Sequence, residues 1–179
     1  PTPISYLAGL YIQSNTKSSP LYFEPSAGNG LLTIALPPEK TYVNEIDLTR
    51  NRNLYNFGKF KKVLNKNASK PFNEYLKFFD GIVTNPPFGT QPPVKINEYQ
   101  ITKLEHLMLI YALDTMADNG RCCAIIGGHT EWDDLGRVQA GANRIFLSFL
   151  HHHYQVDDII NINGKLYSKQ GTRFPIRMI

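Results

Sequence analysis

Asn85, Pro86, Pro87 and Phe88 are the residues of this sequence that most narrowly restrict a chemistry. They follow Ile82-Val83-Thr84, which reads as the end of a buried strand. A residue before proline is pushed out of the α region, so Asn85 is extended, and Pro87 restricts Pro86 in the same way. The result is a stiff rim without backbone donors at two consecutive positions. It offers two acceptors, the Asn85 side-chain oxygen and the Pro86 carbonyl, with the flat face of Phe88 beyond them. A group that satisfies two fixed acceptors beside a flat face is an exocyclic amine on a planar ring. With both N–H bonds held, its lone pair is aimed at an electrophile, and such positioning supplies about 7–11 kcal/mol in a near-attack geometry. Methyl transfer from a sulfonium needs mainly this alignment, and no strong general base stands beside the motif. The alternative is that Asn-Pro-Pro only ends a strand and begins a turn.

A second constellation lies upstream. FEPSAGNG (23–30) sits where a first strand hands over to a first helix, and Gly28 and Gly30 allow a tight bend and close approach to a ligand. Glu45 closes the next strand, where an acid can accept both hydroxyls of a ribose. A dinucleotide-binding turn would carry a third glycine, but that position is Thr33; a P-loop would carry a lysine, and none follows. An ordinary strand-to-helix turn is the remaining alternative. The ribose acid at this distance favours a nucleoside cofactor.

The elements that position these residues alternate strand and helix. LYFE (21–24), TYVNEI, KVLN, FDGIVTN (79–85) and RCCAIIGG read as strands, and VDDIINI with RFPIRMI as a terminal pair. Helices are expected over ISYLAGLYIQS, with Thr2 as its cap and Pro3 in its first turn, over LLTIAL, and over LTRNRNLYNF. A long amphipathic helix is expected over YQITKLEHLMLIYALDTMADNG, closed by Gly120, and QPPVKINEY (91–99) reads as a flexible loop beside the site. This pattern predicts an α/β fold, a doubly wound, mostly parallel Rossmann-like sheet with an antiparallel C-terminal strand pair.

Composition restricts the class less. The 179 residues, 42% hydrophobic and 12% aromatic, suffice for one core and argue against disorder. A net charge of +4 is compatible with a polyanionic partner without demanding one. Cys122 and Cys123 are adjacent, so on a strand they face opposite ways; they read as small buried hydrophobes of a reducing cytoplasm. No apolar run reaches the roughly 20 residues of a membrane span. His151–His153 read as a helix end rather than a metal cluster. His129, Glu131, Trp132, Asp133 and Asp134 form a polar loop without strong ligand spacing, in which His129 and Trp132 could shape a target pocket. Arg50, Arg52, Lys59, Lys61, Lys62, Arg137 and Arg144 are candidate phosphate contacts, or simply a solvated face.

With these residues in hand, the sequence resembles the S-adenosylmethionine-dependent amino methyltransferases, specifically the N6-adenine DNA methyltransferases. FEPSAGNG looks like their first motif, NEID their second and NPPF their catalytic fourth. TPISYLAGLYI resembles the motif that closes over the methionine end of the cofactor. Later segments, KLEHLMLIYAL, IIGGHTEWDDLGRVQAGANRIF and GKLYSKQGT, resemble the methylase portion of large phage- or plasmid-borne polypeptides that often also carry helicase segments, and a restriction–modification role is expected. The resemblance implies S-adenosylmethionine as cofactor. Glu24, Pro25, Ala27, Gly28 and Gly30 would line its methionine half, with Thr2 and Pro3 nearby. Glu45 would hold the ribose and Ile46 would pack on the adenine moiety. Asn85 and Pro86 would receive the target amine of a base extruded from DNA, Pro87 would stiffen the rim, and Phe88 would stack on the base. Two departures stand out. Asn67 and Ala68 occupy the place of an Asp-Phe-like pair whose acid accepts from the cofactor's adenine amine. The chain also stops inside its last strand, so a 1–179 catalytic domain of a longer polypeptide is expected, without a target-recognition domain, membrane segment or metal. The rival readings are methylation of RNA guanine N2 or a protein glutamine amide, an inactive cofactor-binding or DNA-docking module, and, more distantly, an oxidoreductase.

Overall fold

In the computed structural model the described residues are 1–13, 18–128, 134–136, 141–166 and 176–179. They form two units: Pro1–Pro86 with Met108–Ala124, and Pro87–Leu107 with Ile125–Ile179. The first unit opens with α1 (Thr2–Gln13) and β1 (Tyr22–Glu24). It continues through β2 (Thr41–Asn44), α2 (Leu48–Phe57), β3 (Lys62–Leu64) and β4 (Phe79–Thr84), and takes in most of β7 (Met116–Gly127). These strands are all parallel, in the order β3-β2-β1-β4-β7. Helix α2 spans the residues predicted for it because both ends carry stop signals. The Asp47 carboxylate accepts from the Arg50 N–H at 2.9 Å, and Gly58 closes the helix in the left-handed region.

The chain runs outward from β1 to β2 to β3, then returns to place β4 on the other side of β1. The strand order therefore reverses between β1 and β4, and open α/β sheets bind ligands outside the carboxyl ends of strands at such a point. Aromatic packing holds the two strands side by side. Phe23 stacks on Phe79 with ring centroids 4.6 Å apart, and Phe72 meets Phe23 edge-on at 5.2 Å. Each such pair adds about 0.5–1.5 kcal/mol beyond its buried area.

The second unit contains a hairpin of β5 (Thr90–Ile96) and β6 (Tyr99–Lys103), followed by the first turn of α3 (Leu104–Leu113). Helix α4 (Ala142–His153) packs on β6, with Phe149 edge-on to Tyr99 and Lys103 donating to Asn143 at 2.8 Å. The three histidines end α4 as expected, and His152 Nδ1 lies 2.5 Å from the Tyr99 hydroxyl. The last residues of β7 pair antiparallel with β9 (Ile176–Met178), and β9 pairs antiparallel with β8 (Ile160–Ile162), which gives the expected terminal pair. Counted through β7, the sheet has seven strands and is mostly parallel, with the hairpin as a separate two-stranded sheet. Among the described residues no helix is long and apolar enough to cross a membrane.

Four local expectations fail. The long helix over 99–120 is three elements: β6, the ten-residue α3, and the start of β7. Tyr99 and Ile101 are buried with Gln100 exposed between them, a period of two that the helix-spaced residues after Leu104 concealed. Gly120 lies within β7 and closes no helix. The 91–99 loop is the β5–β6 hairpin, reversing at Asn97 with φ 50. LLTIAL forms only a 3-10 turn at Leu31–Thr33, since few residues separate the left-handed Gly30 from Pro37-Pro38. Thr2 does not cap α1 from outside; it is the first helical residue, and the Pro1 carbonyl accepts the N–H groups of Ile4 and Ser5.

Candidate active site

The site is built at the carboxyl ends of β1, β2, β3 and β4. Beyond β1 the chain turns through Glu24-Pro25-Ser26-Ala27-Gly28-Asn29-Gly30. Gly28 and Gly30 take φ values of +55 and +82, which L side chains rarely adopt. A Cβ at Gly28 would meet no atom within 4 Å, whereas one at Gly30 would press on Leu54 at 3.1 Å. Gly30 is thus favoured by conformation, and a Cβ there would also make Leu54 give way by a few tenths of an ångström, while Gly28 borders open space.

Glu24 is fully buried. One of its oxygens accepts the Ser26 N–H at 3.0 Å and faces the Ser26 hydroxyl at 3.2 Å. The other oxygen is buried with no hydrogen-bond partner among the described residues. Burial pushes this carboxyl up to about 8, against the pull of the Ser26 hydrogen bonds, and the charge of Glu45 raises it further. The Ser26 hydroxyl also lies 3.0 Å from the Thr84 hydroxyl, at the end of β4 immediately before Asn85. Glu45 is buried as well. Its carboxylate accepts the Gly28 N–H at 2.8 Å and the Asp47 N–H at 2.8 Å, with the Arg50 guanidinium 3.3 Å away. Two of the roughly four acceptor directions of a carboxylate are used by these backbone donors. Ile46, next along, is 58% exposed.

Three asparagines that sequence reasoning missed hold these strand ends together. Asn44 is 1% exposed; its amide donates to the Pro25 and Lys66 carbonyls at 2.9 and 3.0 Å, and its oxygen accepts the Lys66 N–H at 2.8 Å. One side chain thereby joins the ends of three strands. Asn51 and Asn65 both donate to the Glu45 carbonyl, at 3.1 and 2.7 Å. No spacing rule singles out these residues: Asn44 ends β2 and Asn65 follows β3, but Asn51 lies within α2.

The predicted residues are thus partly brought together. Glu24, Gly28 and Glu45 form one hydrogen-bonded turn, and Ser26 joins it to Thr84. Asn85 is exposed and its side chain has no hydrogen bond to a described residue, while Pro86 is buried. Pro87 and Phe88 begin the second unit, both exposed, the phenyl ring to 41%. Ala68 is buried, but the exposed Asn67 already uses its oxygen to accept the Ser69 N–H and hydroxyl at 2.9 and 2.8 Å. Thr2 and Pro3 are exposed in the first turn of α1, and no described hydrogen bond links them to the glycine turn. His129, Glu131, Trp132, Asp133 and Arg137 lie outside the described residues.

The geometry suits a ligand with an ammonium group and an apolar ring. The Glu24 oxygen is an acceptor without a described partner, a Cβ at Gly28 would meet open space, and Ile46 offers an apolar face. Comparison with known proteins agrees at the level of fold. A modification subunit assigned to a type I restriction enzyme from Vibrio vulnificus superposes with a TM-score of 0.74 at 13% identity, over 99% of this chain and 43% of the subunit. A protein from Pyrococcus horikoshii assigned as an RNA methyltransferase superposes with a TM-score of 0.59 at 18% identity, over 98% of this chain and 79% of that one. The chain has the methyltransferase fold. In sequence it is 27% identical to the type II methyltransferase M.AccI of Acinetobacter calcoaceticus over 159 residues, covering 77% of this chain. The chain spans 29% of that relative's length. No protein-family model matches.

Proposed function

We propose that residues 1–179 are a catalytic domain that binds S-adenosylmethionine and transfers its methyl group to the exocyclic N6 amine of adenine in DNA. The observation that carries the reading is the hydrogen-bonded line from Glu45 to Gly28 and from Glu24 through Ser26 to Thr84, which ties the glycine turn to the residue before Asn85. The similarity to a type II methyltransferase and the fold shared with a restriction-enzyme modification subunit support it.

When bound, the cofactor supplies an electrophilic methyl group on a sulfonium. The unpartnered, buried Glu24 oxygen takes the ammonium of its methionine half, beside Pro25, Ala27 and the open face of Gly28, and the sequence resemblance assigns Thr2 and Pro3 to the same half. The remaining acceptor directions of Glu45 take the ribose hydroxyls, Ile46 covers the adenine ring, and Ala68 and Asn67 border it. Asn85 and Pro86 accept the two N–H bonds of the target amine, which aims the nitrogen lone pair at the methyl group. Phe88 stacks on the target base, which must leave the duplex because N6 is inaccessible within the stack. The nitrogen would gain the methyl group as the sulfonium's S–C bond breaks, leaving a neutral thioether, and would lose its proton to water, so these residues need only to position it.

The test is incubation with methyl-labelled S-adenosylmethionine and methylation-free duplex DNA, single-stranded DNA or RNA, followed by digestion to nucleosides. Label in N6-methyladenine from DNA, lost in a folded, cofactor-binding Asn85→Ala variant, is the expected result. Label in N2-methylguanine from RNA, or equal label in the variant, would overturn the assignment.

A further inference from the structure

No described aromatic ring stacks on Phe88. It is 41% exposed and makes no ring contact with a described residue. A stacking platform must nevertheless point one way before its base arrives, or the cost of ordering it is met from binding. On one side the direction is set by Pro86 and Pro87. On the other it is set by Gly89, whose peptide groups are held at both ends. The Gly89 N–H donates to a Glu105 carboxylate oxygen at 3.0 Å, and the Gly89 carbonyl accepts the Leu104 N–H at 2.9 Å.

Glu105 is itself unusual. It is 3% exposed in the first turn of α3, although an acid placed there only to complement the helix N-terminus works from the surface. Burying a carboxylate is costly unless its hydrogen bonds return the cost. It accepts from the Gly89 N–H, the first backbone donor beyond Phe88. We infer that Glu105 is a positioning residue for the proposed reaction: by fixing the Gly89 peptide it presets the orientation of Phe88. The role rests on the function proposed above, but the clamp itself is testable without it.

The variants are Glu105→Ala, Glu105→Gln and Phe88→Ala, with the double variant Glu105→Ala/Phe88→Ala. A hydrogen bond to a charged group is worth enough that its loss should raise amide exchange at Gly89 by about 10- to 100-fold in Glu105→Ala. Glu105→Gln keeps an acceptor oxygen and should retain most of the protection. In the methylation assay Glu105→Ala should raise KM for DNA and lower kcat/KM by a similar factor, with S-adenosylmethionine affinity by calorimetry unchanged within about twofold, and Glu105→Gln should restore the activity. The double variant should be no worse than Phe88→Ala alone, because Glu105 acts through that ring. Unchanged Gly89 exchange, additive losses in the double variant, or a parallel fall in cofactor affinity would each overturn the inference. If the wild-type protein methylates no nucleic acid, the proposed function fails, while the exchange experiment still decides whether the clamp exists.

Discussion

Glu24 should make the ligand-free protein lose stability as pH rises through neutrality, and replacing it by glutamine should remove that loss. Burial holds its carboxyl at about 8 in the folded state, against an ordinary value of 4.5. Between those limits the folded protein keeps a proton that the unfolded chain has released. Stability is therefore fully present below pH 4.5 and is lost as pH rises to about 8. Neutral pH lies about 2.5 pH units above the unfolded value, and at about 1.4 kcal/mol per unit the loss there is about 3 kcal/mol. Glu24→Gln keeps an oxygen for the Ser26 N–H and never ionises. Urea unfolding of both proteins without ligand should give coincident stabilities near pH 4.5, and a variant more stable by about 3 kcal/mol at neutral pH. The variant should also bind S-adenosylmethionine poorly, so that the stabilising change is the inactivating one. In the wild type, pairing Glu24 with the ligand ammonium at neutral pH should expel about 0.9 proton per molecule bound, read by calorimetry in buffers of different ionisation enthalpy. Parallel stability curves for the two proteins, with no proton released on binding, would refute the reasoning.

Two further outcomes follow from the same geometry. Gly28→Ala meets no atom but must hold a positive φ, so unfolding should show a loss of about 1–2 kcal/mol, and calorimetry a larger loss in cofactor affinity because the methyl group projects into the open space. His106 lies buried against Phe146 with rings 4.1 Å apart, and burial, then the Lys103 charge, pull its imidazole down to about 3 from 6.5. A depressed histidine keeps its stability above 6.5 and loses it as pH falls, by about 2 kcal/mol near pH 5. His106→Leu should unfold in urea with that acid loss removed; because the Glu24 slope runs in the opposite direction, the difference between variant and wild type is the quantity to measure.

The α/β class, the parallel strands and the glycine turn after β1 were legible because short apolar strands and glycine turns are local signals, settled by residues a few positions apart. The residues from Tyr99 to Gly120 were not. Helix-spaced leucines extended a helical reading over two strands whose identity depends on partners distant in sequence: β5 for β6, and β4 for β7. The side chains named for the glycine turn could be picked out by type and spacing, since Gly28, Gly30 and Glu45 obey a pattern that physical chemistry makes recognisable. How they are held could not. Asn44 joins three strand ends, Ser26 reaches Thr84 across two strands, and Glu105 turns from an unremarked first-turn acid into a clamp on Gly89. Each depends on chain segments that meet only after folding. By itself the sequence determined the backbone preferences and the inventory of donors and acceptors, because those belong to single residues and their neighbours. Tertiary structure alone decided which acceptors were left free, as burial and hydrogen bonding are properties of the folded surroundings and leave one Glu24 oxygen without a partner.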